Sequence, residues 1–463
     1  MTDLLISAPD GEAVPIHALR KQDLDAFLAR RSASARAQAA LTDFKARAGQ
    51  TCVIVRGDGR IERALFGLGE DDRPDPMILR ALPARLPPGD YRIASAPRGL
   101  GAGQAALAWA LGGYAYDRYK RRSGPPRPRL VVADKTALNE TRRIAHACAL
   151  SRDMVNTPAN DMGPLQIETI ARELAESNGA SIACVVGDDL HEANYPAVHA
   201  VGRAAAPARA PRMIELSWGA AGDPLIALVG KGVVFDTGGL NLKPTGGIRL
   251  MKKDMGGAAH VLALARMVME AKLKVRLAVL IPAVENAVSG DAMRPGDIIP
   301  TRKGLTVEIG NTDAEGRLIL ADALARADEL QPELTLDFAT LTGAARAALG
   351  PQIAPFYTAD EVLARDLAEA GQRVSDPLWR MPLWKPYAEA VEGDLSDLRN
   401  DPEAWAQAGS VTAALFLQRF APAKGWAHFD IFGWNPKGKP GFPVGADVMA
   451  ARAVFDILKR RYS

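Results

Sequence analysis

Clustered cysteines, paired histidines, long apolar runs and a strong charge of either sign are what this sequence lacks. Its three cysteines, Cys52, Cys148 and Cys184, are far apart and odd in number, which argues against a disulfide framework or a zinc knuckle and fits a reducing compartment. The six histidines, His17, His146, His191, His199, His260 and His428, form no close ligand-spaced pair, and a His-Glu-x-x-His run is absent. Gly-x-Ser-x-Gly and a phosphate-binding P-loop are missing, and none of the cysteines stands in a nucleophile motif. A formal net charge of +3 over 463 residues is too mild to imply nucleic-acid binding. No stretch is long and apolar enough to span a bilayer, and the start, residues 1–9, carries an acid where a signal peptide carries basic residues. These absences point to a cytoplasmic protein with no membrane segment.

What is present is an ordinary globular composition, 48% hydrophobic and 24% charged, which excludes disorder of the whole and, at this length, asks for two domains. Residues 51–55 (Thr-Cys-Val-Ile-Val) and 91–94 read as strands, 103–120 as a helix, and 136–155 as a further helix that stops before Asn-Thr-Pro-Ala-Asn at 156–160. We therefore expect a smaller N-terminal α/β domain over 1–155, with a linker helix at about 136–155, and a larger catalytic α/β domain over 156–463. In the second part, strands at 225–229, 275–281 and 334–339 alternate with helices at 258–270 and after Gly316. Such alternation predicts a mostly parallel central sheet covered by helices. The glycine-rich run 99–103 lacks dinucleotide spacing and a helix-start lysine, and reads as a strand-to-helix turn. The basic, proline-broken stretch 118–129 reads as a solvated connector.

The chemistry concentrates in the octet 311–318, Asn-Thr-Asp-Ala-Glu-Gly-Arg-Leu. Asp313, Glu315 and Arg317 alternate, so an extended backbone would turn all three to one side. Two buried acids there need a positive charge between them, and a metal ion is the simplest. Leu318, Ala321, Leu324 and Ala325 then recur at helical spacing, so the acids sit where a strand-like segment at 305–309 gives way to a helix. Upstream, the run 229–239 delivers Lys231 and Asp236 into a glycine-rich loop, Lys243 follows, and 251–257 supplies Asp254 before a helix. Asp236, Asp254, Asp313 and Glu315 form an oxygen-rich set that could hold two divalent cations, one carboxylate bridging them. A calcium-loop register over Asn311, Asp313, Glu315, Gly316 and Asp322 fails because position 1 is Asn, position 12 is Asp and the incoming segment is strand-like. His260 and His428 read as packing residues.

With these residues assembled, the sequence resembles the leucyl aminopeptidase (cytosol aminopeptidase) family of metallopeptidases. The octet is that family's signature, supported by 229–239, Lys243, 251–257, 156–161, 339–343, 382–384 and 426–430; the first domain matches mainly at 116–119. The resemblance implies that Lys231, Asp236, Asp254, Asp313 and Glu315 bind two divalent ions, manganese or zinc, with Asp236 and Glu315 bridging and Lys231 neutral. It implies that Lys243 polarises the scissile carbonyl and stabilises the oxyanion, and that Arg317 holds a bicarbonate acting as general base. Met251, Thr340 and Gly343 would line an apolar pocket for the first side chain of a peptide with a free N-terminus, leucine or another apolar residue. A homohexamer with active sites facing an interior cavity is implied as well. One departure touches the pocket: where many members carry a Thr-Gly-Arg-Pro-like run, residues 446–449 are Ala-Asp-Val-Met. Two rivals remain, an additional DNA-binding regulatory role hinted at only by 118–129, and a non-catalytic metal-binding assembly protein, against which Lys243 and Arg317 speak.

Overall fold

The computed structural model describes residues 4–97, 99–120, 125–402 and 407–463, so part of the basic stretch 118–129 and of the start 1–9 lies outside the described residues. The chain forms two compact units, 1–149 with 435–444, and 150–434 with 445–463. No helix among the described residues is long and apolar enough to cross a membrane.

In the first unit a six-stranded sheet runs in the order Leu5–Ile6, Arg129–Val131, Asp90–Ser95, Val14–Arg20, Ile61–Gly69, Thr51–Val55. The last strand has the predicted bounds, and its alternate residues Cys52 and Ile54 are buried. The helix expected over 103–120 is shorter, Ala102–Gly112. It ends at paired glycines, Gly112 and Gly113, and Gly112 lets the chain pass against the turn Pro76–Ala84, since a Cβ there would lie 2.0 Å from the Arg80 carbonyl oxygen.

The second unit is built on a nine-stranded sheet. Leu225–Gly230 lies at its centre, between Arg276–Asn286 and Leu334–Ala339, with Trp426–Asp430 beyond the latter, and all of these pairs are parallel. Antiparallel pairings come further out, through Arg212–Trp218 and Ser181–Val186 on one side and Ala354–Tyr357 on the other. Every residue of Leu225–Gly230 is buried, as expected of a parallel strand with both faces covered. Gly230 faces the helix Gly256–Ala271, while Ala227 and Val229 share a core cluster with Leu318, Ala321 and Leu324 of the helix Glu315–Glu329. Leu318, Ala321, Leu324 and Ala325 of that helix are all buried, as its continuous burial from Glu315 to Ala325 requires, and it corrects one expectation. The octet does not stay extended to its end: Glu315 opens the helix, so Glu315 and Arg317 project roughly 200° apart around its axis instead of to one side.

Candidate metal and catalytic site

The acids gather at the carboxyl ends of the parallel strands, where open α/β sheets place ligands. The strand Gly232–Asp236 ends on Asp236, the turn Met251–Met255 carries Asp254, Asp313 sits in the loop before the helix, and Glu315 is that helix's first residue. Gly238 and Gly239 both have positive φ, and side chains there would strike the Asn241 carbonyl at 2.4 Å and the Thr312 hydroxyl at 2.9 Å. The glycines thus let the 236–243 loop fold onto Thr312, whose hydroxyl donates to the Gly238 carbonyl and accepts from the Asn241 amide at 2.9 Å. Asn286 donates to Asp236 Oδ1 at 2.9 Å and to the Thr312 carbonyl at 3.1 Å. Asn400 pins the octet from afar, accepting from the Gly310 amide at 2.9 Å and donating to the Asn311 carbonyl at 2.7 Å. Asn286 and Asn400 escape a reading of the sequence because no local motif surrounds them.

Carboxylate oxygens of Asp236, Asp313 and Glu315 lie within 4.8 Å of one another. Lys231 Nζ stands 2.7 Å from Asp254 Oδ2 and 2.9 Å from Glu315 Oε1, and Lys243 Nζ stands 2.7 Å from Asp236 Oδ2 and pairs with Asp313. Two ammonium groups therefore provide the positive charge that the acids demand. The residues fit divalent cations: the donors are hard oxygens at converging positions, and Glu315 Oε2 is buried with no hydrogen-bond partner. Burial, and then repulsion from Asp236, push Asp313 up to about 6 and Glu315 up to about 8. For Asp254 burial, the largest single influence, works in the same direction, but the charges of Lys231 and Lys253 and the Lys231 hydrogen bond together outweigh it and hold Asp254 below the usual carboxylate range. Burial would lower Lys231, and the charges of Asp254, Glu315 and Asp236 overcome that and raise it.

Arg317 does not act as a counter-ion to these acids. Its Nη1 donates to the Asn400 carbonyl at 2.6 Å, its Nε is buried without a partner, and burial lowers its pKa to about 10. A guanidinium with unused donors suits an anion. Lys231, Asp236, Lys243, Met251, Asp254, Asp313, Arg317, Thr340 and Gly343 all line one cavity of about 560 Å³, and Glu315 is buried beside it, 1% exposed. Thr340 Oγ1 donates to Asp254 Oδ1 at 2.8 Å. The cavity wall also includes Lys253, Arg346 and Phe432, which the sequence did not single out.

The residues read as bystanders stay out of this cavity. His260 is fully buried, bonded through Nδ1 to the Gly256 carbonyl at 2.6 Å and through Nε2 to the Met449 amide at 3.1 Å; burial lowers its pKa to about 4. His428 pairs with Asp337, which also accepts from Trp426 Nε1 at 2.7 Å. Asp322, the twelfth position of the rejected calcium register, accepts from the amides of Ala197, Val198 and Arg302 instead. The divergent run 446–449 does not line the cavity either; the Ala446 amide donates to Asn156 Oδ1 at 3.0 Å.

Comparison with known proteins finds similarity to the cytosol aminopeptidases. The family model described as "Cytosol aminopeptidase family, catalytic domain" matches residues 149–454, and that described as "M17 aminopeptidase, N-terminal domain" matches residues 14–133. A probable cytosol aminopeptidase of Syntrophotalea carbinolica is 37% identical over 449 residues, covering 90% of either chain. One of Roseiflexus castenholzii is 38% identical over 366 residues, 75% of this chain and 74% of its own. Among solved structures, the cytosol aminopeptidase of Coxiella burnetii has a TM-score of 0.94 at 41% identity, covering 99% of this chain and all of the other. The bottromycin maturation enzyme BotP, in complex with Mn, has a TM-score of 0.87 at 32% identity, covering 97% of this chain and all of its own.

Proposed function

The chain belongs to the cytosol aminopeptidase family and is an aminopeptidase; from that premise we propose that it removes the first residue of peptides with the help of two divalent cations held by Lys231, Asp236, Asp254, Asp313 and Glu315. The observation that carries the proposal is the convergence of three carboxylates within 4.8 Å beside a cavity, with Glu315 Oε2 left unpaired. When bound, the cations supply Lewis-acid polarisation of the scissile carbonyl and a water that is nucleophilic at neutral pH. Asp236 and Glu315 would each supply carboxylate oxygens to the ions, and Lys231 would contribute a neutral amine, its proton displaced on loading. Lys243, 15% exposed at the cavity, offers a positive donor to the oxygen on which negative charge develops. Arg317, with donors to spare, would hold a bicarbonate, which would supply a general base at this site. Met251, Thr340 and Gly343 would receive the first side chain, with leucine or another apolar residue the natural occupant. The Mn in the BotP complex supports manganese as one metal to try, with zinc the other. A cytoplasmic location and a homohexamer complete the proposal.

The test is to load the chelator-stripped protein with manganese or zinc, count bound ions, and follow hydrolysis of leucine p-nitroanilide. Two ions per chain and metal-dependent turnover are expected, with both lost in Glu315→Ala; full activity in that variant would overturn the assignment.

A further inference from the structure

Phe432 stands in the cavity wall with two cations packed over its ring. Lys253 Nζ lies 5.2 Å from the centre of its ring and the Arg346 guanidinium 5.0 Å, and all three side chains line the cavity. Lys253, on the turn Met251–Met255, is 8% exposed, while Arg346 is exposed on the helix Gly343–Leu349. Among the described residues neither side chain has an ion-pair or hydrogen-bond partner. The acids whose charges bear on Lys253 are committed elsewhere. Asp254 faces Lys231 and Thr340, and Asp430 accepts from the amides of Leu341 at 3.1 Å and Thr342 at 3.0 Å and from the hydroxyls of Thr342 and Ser410.

Burying an ammonium without a counter-charge is costly, and an aromatic face offsets only part of that cost. What is left is positive charge turned toward the space a peptide would occupy. We infer that Lys253 and Arg346, both packed over the Phe432 ring in the cavity wall, form a carboxylate-recognising subsite of the peptide cavity. A guanidinium fork and a point charge are complementary ways of holding one carboxylate. Met251 shares the turn of Lys253, and Gly343 opens the helix of Arg346, so the subsite adjoins the residues proposed for the first side chain. The carboxylate has two possible sources, an acidic first side chain or the free C-terminus of a dipeptide. The inference rests on the aminopeptidase reading and adds to it a preference for anionic substrates.

The experiment compares two matched pairs on the manganese-loaded protein: Glu-Gly-amide against Gln-Gly-amide for the side chain, and Leu-Gly against Leu-Gly-amide for the terminus. Each is measured as kcat/KM and, with non-hydrolysable analogues carrying CH2–NH in place of the peptide bond, as affinity by calorimetry. The wild type should favour the carboxylate member of at least one pair by about tenfold, the factor expected for one charge-assisted contact. Lys253→Met and Arg346→Met should each bring that ratio toward one, and the pair affected tells which source is read. A ratio at or below one in both pairs, or a ratio that survives in both variants, overturns the subsite. Failure to hydrolyse any of the four would instead count against the peptidase reading, and the analogue affinities would still decide the subsite.

Discussion

Lys231 is a lysine with 3% of its side chain exposed, wedged between Asp254 and Glu315, and its proton competes with any cation for the same acids. Glu315 shows the consequence for stability. Its ordinary value is 4.5 and in the fold it rises to about 8, so between those values the folded state holds a proton the unfolded chain has released. The contribution is present below pH 4.5 and lost as pH rises toward about 8. The metal-stripped protein should accordingly lose stability over that window, seen as a falling denaturant midpoint. Glu315→Gln, which cannot ionise, should flatten the slope, and manganese should restore the wild type at the alkaline end. Identical slopes in the two proteins would show that Glu315 is not the group responsible. Lys243 makes a separate prediction: Lys243→Ala should leave bound metal near normal and lower turnover by roughly two orders of magnitude, as loss of an oxyanion donor does. Loss of metal instead would make Lys243 a ligand.

At the scale of elements, the helix Gly256–Ala271 reaches its strands because Gly257 has no side chain: a Cβ there would lie 2.1 Å from the Phe338 carbonyl oxygen and 2.6 Å from the Lys231 amide nitrogen. Gly257→Ala should therefore lift the helix, cost about 1–3 kcal/mol of stability and weaken metal binding by moving Asp254 in the preceding turn. Gly290→Ala, where nothing lies within 4 Å, is the control and should be neutral in both thermal melting and metal titration. The elements near this junction were legible in the sequence for a physical reason. Leu334–Ala339 has its predicted bounds, since Leu334, Leu336 and Phe338 alternate with Thr335 and Asp337 in the two-residue period of a strand. The helix start at Glu315 was less legible, because Ala314 offers no side-chain cap to mark it and two-residue alternation holds only while the backbone is extended. The cation pair packed over Phe432 was invisible for another reason: Lys253, Arg346 and Phe432 come from three separated segments, and only the fold puts them on one wall.

At the scale of the molecule, the first unit takes in a segment from near the end of the chain, residues 435–444, that no change in composition announces. The join is made around Arg80, itself 4% exposed. Its Nε donates to the Gly441 carbonyl at 3.1 Å and its guanidinium lies 3.8 Å from the centre of the Phe442 ring. Gly441 has φ +78°, and a Cβ on it would fall 2.0 Å from the Arg80 carbonyl oxygen, so backbone meets backbone at a point only glycine allows. Gly441→Ala should destabilise the first unit by more than about 1 kcal/mol, through both the strained φ and the collision. The residues proposed to hold metal all belong to the other unit, so bound metal per chain should stay at the wild-type level. Limited proteolysis with mass mapping reads both at once: new cleavages should appear within 1–149 before any in 150–434. First cleavage in 150–434, or loss of metal, would mean that the 435–444 segment supports the catalytic unit instead.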